Sequence, residues 1–579
     1  MGGGLMQLVA YGAQDIYLTG NPQITFFKVV YRRHTNFSME SIEQTFNGTA
    51  NFGRRVTATI SRNGDLIYRM YVQATLPKVD KDVIAPAGKF SGTTGAADND
   101  VAGFRWTNWI GHKLLKEVEI EIGGQRIDKH YSSWLHIWNE LTQTAGHKVG
   151  YASMVGNVPR LVQPMIHLQS GTDSNQDTKP ETTLYIPLQF WFCRNPGLAL
   201  PLIALQYHEV KINVVFEDLN NCRWIATKAK PTTAIDTTTI GGVEMVVADG
   251  GAAGAAAEST ALHDTTQAGT DNGDNVAIDG NAQSIGVHVA ENLALDLGTG
   301  QGQWAAVTAG CCKHSLVSCS LWVDYIYLDT DERRRFAQVS HEYLIEQLQF
   351  TGDESVSGTS SKVKLNFNHP VKELVWVTQM DAVVADSDTT RNVGGAQWFN
   401  FTTALDNTYT SGTPTDPLGE GMTGPNAPNS GLPYHLVSEQ NSIKWDDFMS
   451  MNTVGANGIS QGSRFLGAKL HDLGKNPTKK AKLQLNGHDR FAEREGRYFN
   501  LVQPYQHHTN VPAIGVNVYS FGLKPEEHQP SGTCNMSRID NATLTLTNET
   551  SDAGVAKVFA VNYNVLRIMS GMGGLAYSN

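Results

Sequence analysis

Apolar and polar residues alternate in two distant parts of the chain, and both alternations end at a tight turn. Residues 116–122 alternate charged and apolar side chains before Gly123-Gly124, and an aromatic stretch follows. Residues 480–485 alternate likewise before Asn486-Gly487. Alternation with period two indicates a strand with one buried face, and Gly-Gly and Asn-Gly reach the positive φ of a hairpin turn at low cost. We therefore predict that one β-rich unit is built twice.

Many other short runs of apolar or alternating residues are separated by turn residues, and long helical patterns are few. In residues 210–214 the apolar side chains fall on one face, as a half-buried strand requires. This pattern predicts an all-β protein made of packed antiparallel sheets. The predicted strands are 56–60, 66–75, 118–122, 183–186, 208–216, 321–328, 363–367, 374–378, 482–485, 514–521, 542–547 and 558–566.

The length of 579 residues exceeds what one core usually supports, which favours two domains. Between the two halves, Asp329 can cap a helix and Glu332 stands three residues later. Phe336, Val339 and Tyr343 then follow at helical spacing. We predict a short linking helix here, with the domain boundary near position 338.

Three segments, 81–103, 231–310 and 382–433, are rich in small and polar residues. Such segments bury little surface, so we expect exposed loop insertions rather than domains. The predicted organisation is an N-terminal arm (1–23), a first unit (24–338) that contains the first two insertions, and a second unit (339–579) that contains the third.

The formal net charge of −11 is concentrated in one segment, because residues 231–303 contain ten Asp and Glu, no Lys or Arg, and no aromatic residue. The remainder is close to neutral and lacks the basic surplus that displaces counterions from phosphates, so no direct nucleic-acid binding is expected. The basic clusters Arg32-Arg33 and Arg333-Arg334-Arg335 lie beside acidic or aromatic residues. We expect them to form ion pairs at a domain or subunit edge.

Short motifs do not support catalysis. Residues 458–462 match Gly-Xaa-Ser-Xaa-Gly, but residues 451–457 are too polar for the central strand that a nucleophile elbow needs. His208 and His341 each precede a glutamate, yet neither has a second histidine four positions on. The six cysteines have no zinc-site spacing, and His507-His508 is expected to be solvated surface. We expect no catalytic residue, cofactor or metal.

The N-terminus lacks the pattern of a secretory signal, and no apolar run reaches the length of a membrane span. The chain nevertheless contains six Asn-Xaa-Ser/Thr sequons, which are candidate glycosylation sites. Without a secretory signal, the sequence alone does not support their use. They stand at Asn36, Asn47, Asn400, Asn535, Asn541 and Asn548.

Long blocks spread over nearly the whole chain are the most specific signal. They are LVAYGAQDIYLTG from residue 8, RNPGLALPLIALQYHEV over 194–210, DYIYLDTDERRRF over 324–336, and NVYSFGLKPE over 517–526, followed by QPSG over 529–532. These blocks resemble the major capsid proteins of nucleocytoplasmic large DNA viruses. The resemblance implies two tandem eight-stranded antiparallel jelly rolls in one chain.

The same resemblance implies a structural function without a reaction. Three chains would form a homotrimer of pseudo-hexagonal outline that tiles an icosahedral shell, located in the virion capsid and assembled in the host cytoplasm. Its partners would be neighbouring capsomers, minor capsid and penton proteins, and the internal membrane layer, which the N-terminal arm could meet. Two alternatives stay open: a minor or scaffold-like jelly-roll capsid protein, and a carbohydrate-binding or glycoside-cleaving β-sandwich, whose cleavage chemistry would need paired carboxylates.

Overall fold

The structure, a computed structural model, describes residues 20–22, 27–29, 31, 33–80, 102–162, 165–166, 178–227, 236–240, 243–247, 314–384, 397–403 and 475–577. Every strand pairing among these residues is antiparallel, and the few helices are short. The all-β class is confirmed. Arg32, the 458–462 motif, and most of the arm and of the three insertions lie outside the described residues.

The first jelly roll consists of two sheets whose main strands have the orders β1-β8-β3-β6 and β2-β7-β4-β5. Its alternating strands turn one face inward, as in β3, where Ile67, Met70 and Val72 are buried in the core between the sheets. The strands are β1 (Phe37–Gln44), β2 (Arg55–Thr59), β3 (Leu66–Leu76), β4 (Leu115–Ile122), β5 (Gln125–Tyr131), β6 (Thr182–Pro187), β7 (Val210–Phe216) and β8 (Ser318–Leu328).

The second jelly roll has the sheet orders β9-β16-β11-β14 and β10-β15-β12-β13. Leu374 and Trp376 of β11 face its own core, which is a separate apolar cluster. The strands are β9 (His341–Val356), β10 (Ser360–Leu365), β11 (Pro370–Met380), β12 (Thr478–Leu485), β13 (His488–Asp489), β14 (Val516–Ser520), β15 (Ala542–Asn548) and β16 (Gly554–Met569).

The two jelly rolls have the same strand order, because adding eight to each strand number of the first reproduces the second. The predicted duplication is therefore confirmed. The two turns on which this prediction depends join equivalent strands, β4 to β5 and β12 to β13. Gly123 and Gly124 have φ values of 58° and 84°, and Asn486 and Gly487 have φ values of 51° and 81°. Positive φ at both central residues is the geometry that these residue pairs favour.

Four helices matter for the site: α1 (Ile110–Leu114), α2 (Ser132–Thr142), α3 (Ala145–Met154) and α4 (Thr330–Gln338). The linking helix is confirmed as α4, and the Asp329 side chain accepts a hydrogen bond from the Thr330 amide at 2.8 Å. Its predicted continuation is wrong. Val339 is already extended and Tyr343 lies in β9, because residues 341–356 pair along their length with β16.

Shorter elements complete the described chain. Minor strands are Val79–Asp80, Ala102–Trp106, Met165–Ile166, Thr178–Lys179, Leu200–Pro201, Arg223–Thr227, Asp236–Ile240, Val243–Val247, Arg494–Glu495, Cys534–Asn535 and Met572–Leu575. Single helical turns are Pro159–Val162, Trp191–Arg194, Pro196–Leu198, Leu219–Cys222, Asp381–Val384, Tyr498–Val502, Gln503–His507 and Met536–Arg538. The strands over 236–247 pair with each other, so the 231–310 insertion includes a β-hairpin and is not loop alone.

Each of the three insertions follows an odd-numbered strand, and the first and third stand at equivalent places in the two jelly rolls. They fall between β3 and β4, between β7 and β8, and between β11 and β12. Strand direction alternates along the chain, since neighbours within each sheet are antiparallel and the short 60–65 connection links β2 to β3. Connections that follow an odd-numbered strand therefore share one end of their jelly roll. All three insertions leave from that end.

Candidate functional site

Helix α2 belongs to the first jelly roll by chain position but packs on the second. Trp134, Ile137, Trp138 and Leu141 recur at the spacing of one helical face, and all four are buried. They cover the outer face of the sheet β9-β16-β11-β14, so this helix joins the two jelly rolls through an apolar layer. Each fully buried side chain of this size contributes on the order of 2 kcal/mol. The facing residues are Leu348, Phe350, Val375, Val377, Phe401, Val516, Val518, Phe559 and Val561.

This helix was not predicted from the sequence, although a signal for it was present. The spacing of Trp134, Ile137, Trp138 and Leu141 fits positions i, i+3, i+4 and i+7 of an amphipathic helix. We interpreted the stretch only as an aromatic continuation of the hairpin. The helical spacing of the apolar residues over 132–142 correctly predicts a helix.

The C-terminal turn of α2 is held by the second jelly roll. The Asn510 amide donates to the Leu141 carbonyl at 3.1 Å, and the Asn510 side chain donates to the Glu140 carbonyl at 3.2 Å. The Ala513 amide donates to Glu140 Oε2 at 3.3 Å. The two Asn510 donors satisfy carbonyls that a helix end leaves without partners. Burial raises the pKa of Glu140.

A buried charge cluster lies at the same junction. Glu346 of β9 receives Arg194 Nη1 at 2.8 Å on one carboxylate oxygen and Lys372 Nζ at 2.8 Å on the other. Burial alone would raise the pKa of Glu346, but His528, whose Nδ1 lies 3.9 Å from the carboxylate, and the charges of Lys372 and Arg194 lower it to about 2. The carboxylate is therefore ionised, and it pairs with Arg194 across the junction and with Lys372 within the second jelly roll.

Arg194 connects this cluster to the apolar layer. It ends the short helix Trp191–Arg194 of the first jelly roll, and its guanidinium carbon lies 3.8 Å from the ring centroid of Trp138. A cation over an indole face gains about 0.5–2 kcal/mol, depending on desolvation. One side chain thus contacts α2 of the first jelly roll and a carboxylate of the second.

Polar contacts continue along the junction. Asp128 of β5 accepts a hydrogen bond from the Leu348 amide of β9 at 3.0 Å, and the Gln347 side chain donates to the Ile127 carbonyl. At another point the Tyr207 amide donates to the Gly571 carbonyl at 3.0 Å. The two jelly rolls are therefore joined by directional bonds as well as by apolar packing.

His508 does not match the solvated surface that we expected for His507-His508. Its side chain is fully buried, with Nε2 3.0 Å from Glu373 and Nδ1 2.9 Å from Glu526. Burial lowers its pKa, but the two carboxylates outweigh this and raise it to about 9. The expectation was wrong because β11 and the loop after β14 bring distant acids to the ring, which the sequence alone does not show.

A pair of buried histidines lies where α1, α2 and α3 meet Phe399 of the second jelly roll. His112 Nε2 lies 2.7 Å from the Tyr151 hydroxyl, and the His136 ring lies 4.6 Å from the Phe399 ring. Burial lowers the pKa of His136 to about 3, and burial and then His136 lower the pKa of His112. Both rings are therefore neutral at ordinary pH.

The predicted basic residues have different surroundings. Arg333 Nε donates to Asp65 at 2.7 Å, and the other oxygen of that carboxylate accepts from the Leu328 amide at 2.9 Å. Arg333 thus fastens the linking helix to the first jelly roll. Arg33, Arg334 and Arg335 are exposed. They are not brought together with Arg333 into one site by any described contact.

The six sequon asparagines also differ. Asn36, Asn47, Asn535 and Asn541 are exposed. The other two are half-buried and use their side-chain amides within the fold: Asn400 donates to Gln397 at 2.8 Å, and Asn548 donates to the Gly358 carbonyl at 2.8 Å.

The described residues contain no group of three or more His, Cys, Asp or Glu side chains placed to hold a metal ion. Cys193, Cys222, Cys319 and Cys534 are free cysteines, and burial raises the pKa of Cys193 to about 12. No helix within the described ranges has both the length and the apolarity to cross a bilayer.

Comparison with known proteins accounts for this two-lobed arrangement. Residues 25–259 match a family model described as the N-terminus of the major capsid protein, and residues 332–574 match the major capsid protein of large eukaryotic DNA viruses. The major capsid protein of Phaeocystis pouchetii virus is 48% identical over the full length of both chains. The chain belongs to the major capsid protein family of large eukaryotic DNA viruses.

Other relatives agree with this family. The major capsid protein of Paramecium bursaria Chlorella virus 1 is 37% identical over the full length of both chains. A solved structure described as a quasi-atomic model of the PBCV-1 virus capsid is 32% identical, with a TM-score of 0.56 over 96% of this chain and all of the other. The Faustovirus major capsid protein has the same TM-score at 13% identity and supports the fold only. The resemblance and the double jelly roll expected from the sequence are confirmed, and the function is that of a structural capsid protein.

Proposed function

We propose that three copies of this chain associate into a homotrimer whose six jelly rolls form a pseudo-hexagonal capsomer, and that capsomers tile an icosahedral shell. The observation that carries the proposal is the equal strand order of two sandwiches joined side by side. A threefold ring of such chains presents six similar lobes. Its work is mechanical, and we propose that it catalyses no reaction.

The junction supports this role, because a shell unit must transmit lateral force without bending between its lobes. Helix α2 buries two tryptophans against the second jelly roll, and Arg194 bonds to Glu346 across the same boundary. Large obligate contacts of this apolar kind favour one rigid body over two tethered domains. We accordingly propose that residues 24–338 and 339–579 are two domains of one rigid unit.

The placement of the insertions suggests an orientation. All three leave from the end of the jelly roll that lies beyond the odd-numbered strands. We propose that this end faces outward and that the acidic segment 231–303 keeps particles mutually repulsive. The opposite end then faces inward, where the arm (1–23) meets minor capsid proteins or the internal membrane layer, and penton proteins fill the fivefold positions. Assembly is proposed to occur in the host cytoplasm.

We propose that glycans, where the virus attaches them, are carried at the exposed asparagines Asn36, Asn47, Asn535 and Asn541. Asn400 and Asn548 use their amides in hydrogen bonds to the fold and are proposed to remain unmodified. Peptide mass mapping of protein from purified particles tests the division. A glycan on Asn548, with none on the exposed sites, would contradict it.

Native mass spectrometry of the recombinant chain tests the trimer. We expect a stable species of three chains, and a strict monomer at high concentration would contradict the proposal. Copy number in purified particles separates the major capsid protein from a minor or scaffold-like jelly-roll protein. Glycan-array binding or glycoside hydrolysis by the purified trimer would instead favour the carbohydrate-active β-sandwich.

A further inference from the structure

The internal duplication makes it possible to compare the same sheet face in the two jelly rolls. In the second jelly roll the outer face of β9-β16-β11-β14 is covered by α2, which lies between the fifth and sixth strands of the preceding jelly roll. Phe350, Phe559, Val375 and Val518 form one row across that face, joined in register from strand to strand. This row is apolar throughout and is covered within the chain.

The equivalent face of the first jelly roll is β1-β8-β3-β6. Tyr71 and Trp322 occupy neighbouring positions on its outer side with their rings stacked at an angle of 1° and a centroid distance of 6.2 Å. Tyr185 lies 6.1 Å from Tyr71 and is 40% exposed. Tyr71 and Trp322 are half-buried, and the ring contacts of these three residues within the described part of the chain are with one another. The linking helix covers only the part of the face near Leu66 and Ile326.

The composition of this face fits a contact that is made only on assembly. The three rings have Glu43, Gln73, Ser320 and Thr183 as neighbours on the same side, whereas the equivalent covered face carries valines and phenylalanines. A face with polar residues between aromatic rings tolerates water before assembly. Tyrosine and tryptophan also supply much of the binding energy at protein interfaces.

The second jelly roll has an exposed apolar patch at the place equivalent to α2 of the first. Between the fifth and sixth strands of the second jelly roll, where α2 stands in the first, the chain forms the turns Tyr498–Val502 and Gln503–His507. Tyr505 is 81% exposed there, with Leu501 and Val502 38% and 40% exposed on the same turns. His507 Nδ1 lies 2.9 Å from the Leu523 carbonyl, which brings the 72% exposed Leu523 alongside.

We propose that the patch of Leu501, Val502, Tyr505 and Leu523 on one copy docks on the Tyr71–Trp322–Tyr185 face of the next copy. Within the chain, α2 of one jelly roll covers the outer sheet face of the other. The proposed contact places the equivalent segment of the second jelly roll on the equivalent sheet face of the next copy. It is heterologous, since two different surfaces meet, and a heterologous contact closes into a ring when the rotation allows it. The inference rests on the proposed trimer and names the surfaces that hold it together.

The test uses the full chain with two single substitutions and a matched control. Tyr185→Glu and Tyr505→Glu each place a carboxylate in the proposed contact, while Tyr577→Glu changes a tyrosine of similar exposure, 63%, that lies on neither surface. We expect each of the first two to weaken self-association at least about tenfold, with unchanged circular dichroism, and the control to remain trimeric.

Hydroxyl-radical footprinting then locates the contact. We expect Tyr185 to react several-fold less in the wild-type trimer than in the monomeric Tyr505→Glu variant. Likewise, Tyr505 should react several-fold less in the wild-type trimer than in the monomeric Tyr185→Glu variant. Tyr577 should react equally in all three proteins. A trimer in which both tyrosines stay fully reactive, or which both substitutions leave intact, overturns the inference and spares the proposed function. A wild-type chain that forms no trimer overturns both.

Discussion

Arg194 of the first jelly roll donates a hydrogen bond of 2.8 Å to Glu346 of the second. The two residues are far apart in sequence and lie on opposite sides of the junction, and both side chains are largely buried. The carboxylate also binds Lys372, so the ionised form of Glu346 is the form the fold requires. Several expectations about stability follow from this pair and its surroundings.

Replacing Arg194 by methionine keeps much of the side-chain volume but removes the charge and the donors. Because Glu346 stays buried with one partner fewer, we expect the free energy of unfolding to fall by about 3 kcal/mol. Arg55→Met is the control, since the Arg55–Glu119 pair leaves the arginine side chain 61% exposed and should contribute less than about 1 kcal/mol. Chemical denaturation measures both, and equal effects would contradict the importance of the junction.

Truncating Trp134 to alanine should be the most damaging single change in α2. The side chain is fully buried, and its ring lies 5.5 Å from the Phe559 ring of the second jelly roll. Removing it leaves a cavity and should cost about 3–5 kcal/mol. Ser133→Ala on the same helix should change stability by less than about 0.5 kcal/mol. A Trp134→Ala protein that melts like the wild type would show that α2 does not hold the lobes together.

Acid should weaken the junction through Glu346. Its pKa is about 2 in the fold, below the ordinary 4.5, so its contribution is complete above pH 4.5 and is lost as pH falls towards 2. The loss is about 1.4 kcal/mol per pH unit, or about 3 kcal/mol in all. Glu346→Gln should remove this part of the acid limb in pH-dependent denaturation. If the free energy of unfolding falls with the same slope between pH 4.5 and 2 in Glu346→Gln as in the wild type, the assignment is contradicted.

Alkali should weaken the second jelly roll through His508. Its pKa of about 9 exceeds the ordinary 6.5, so its contribution is present below pH 6.5 and is lost as pH rises through 9. We expect His508→Gln to lower stability at pH 6 and to flatten the alkaline limb. The exposed His488→Gln is the control and should leave the limb unchanged. A wild-type protein with constant stability from pH 6.5 to 9 would argue against the buried ion pair.

The hydrophobic pattern predicted the sheets because period-two alternation depends only on which face is buried. The repeated hairpins at Gly123-Gly124 and Asn486-Gly487 were visible for a further local reason, since few residues tolerate positive φ. Asp329 marked the linking helix through its capping chemistry. These signals are all contained within a few neighbouring residues.

The junction was not predictable in the same way. Glu346, Arg194 and Lys372 look like ordinary surface charges in sequence, and only tertiary packing brings them together in a buried cluster. His508 was misjudged for the same reason, because Glu373 and Glu526 approach it from other elements. Helix α2 was missed although its period was readable. The roles of the arm, the sequons and the arginine clusters stay predictions.

Electron cryomicroscopy of the assembled protein tests the central claim most directly. At a resolution that separates strands, the account predicts a threefold ring of six sandwiches in which first and second jelly rolls alternate. Helix α2 is expected between the two jelly rolls of each chain, and a ring of three lobes, or chains whose two jelly rolls separate at the Arg194–Glu346 junction, would contradict the account.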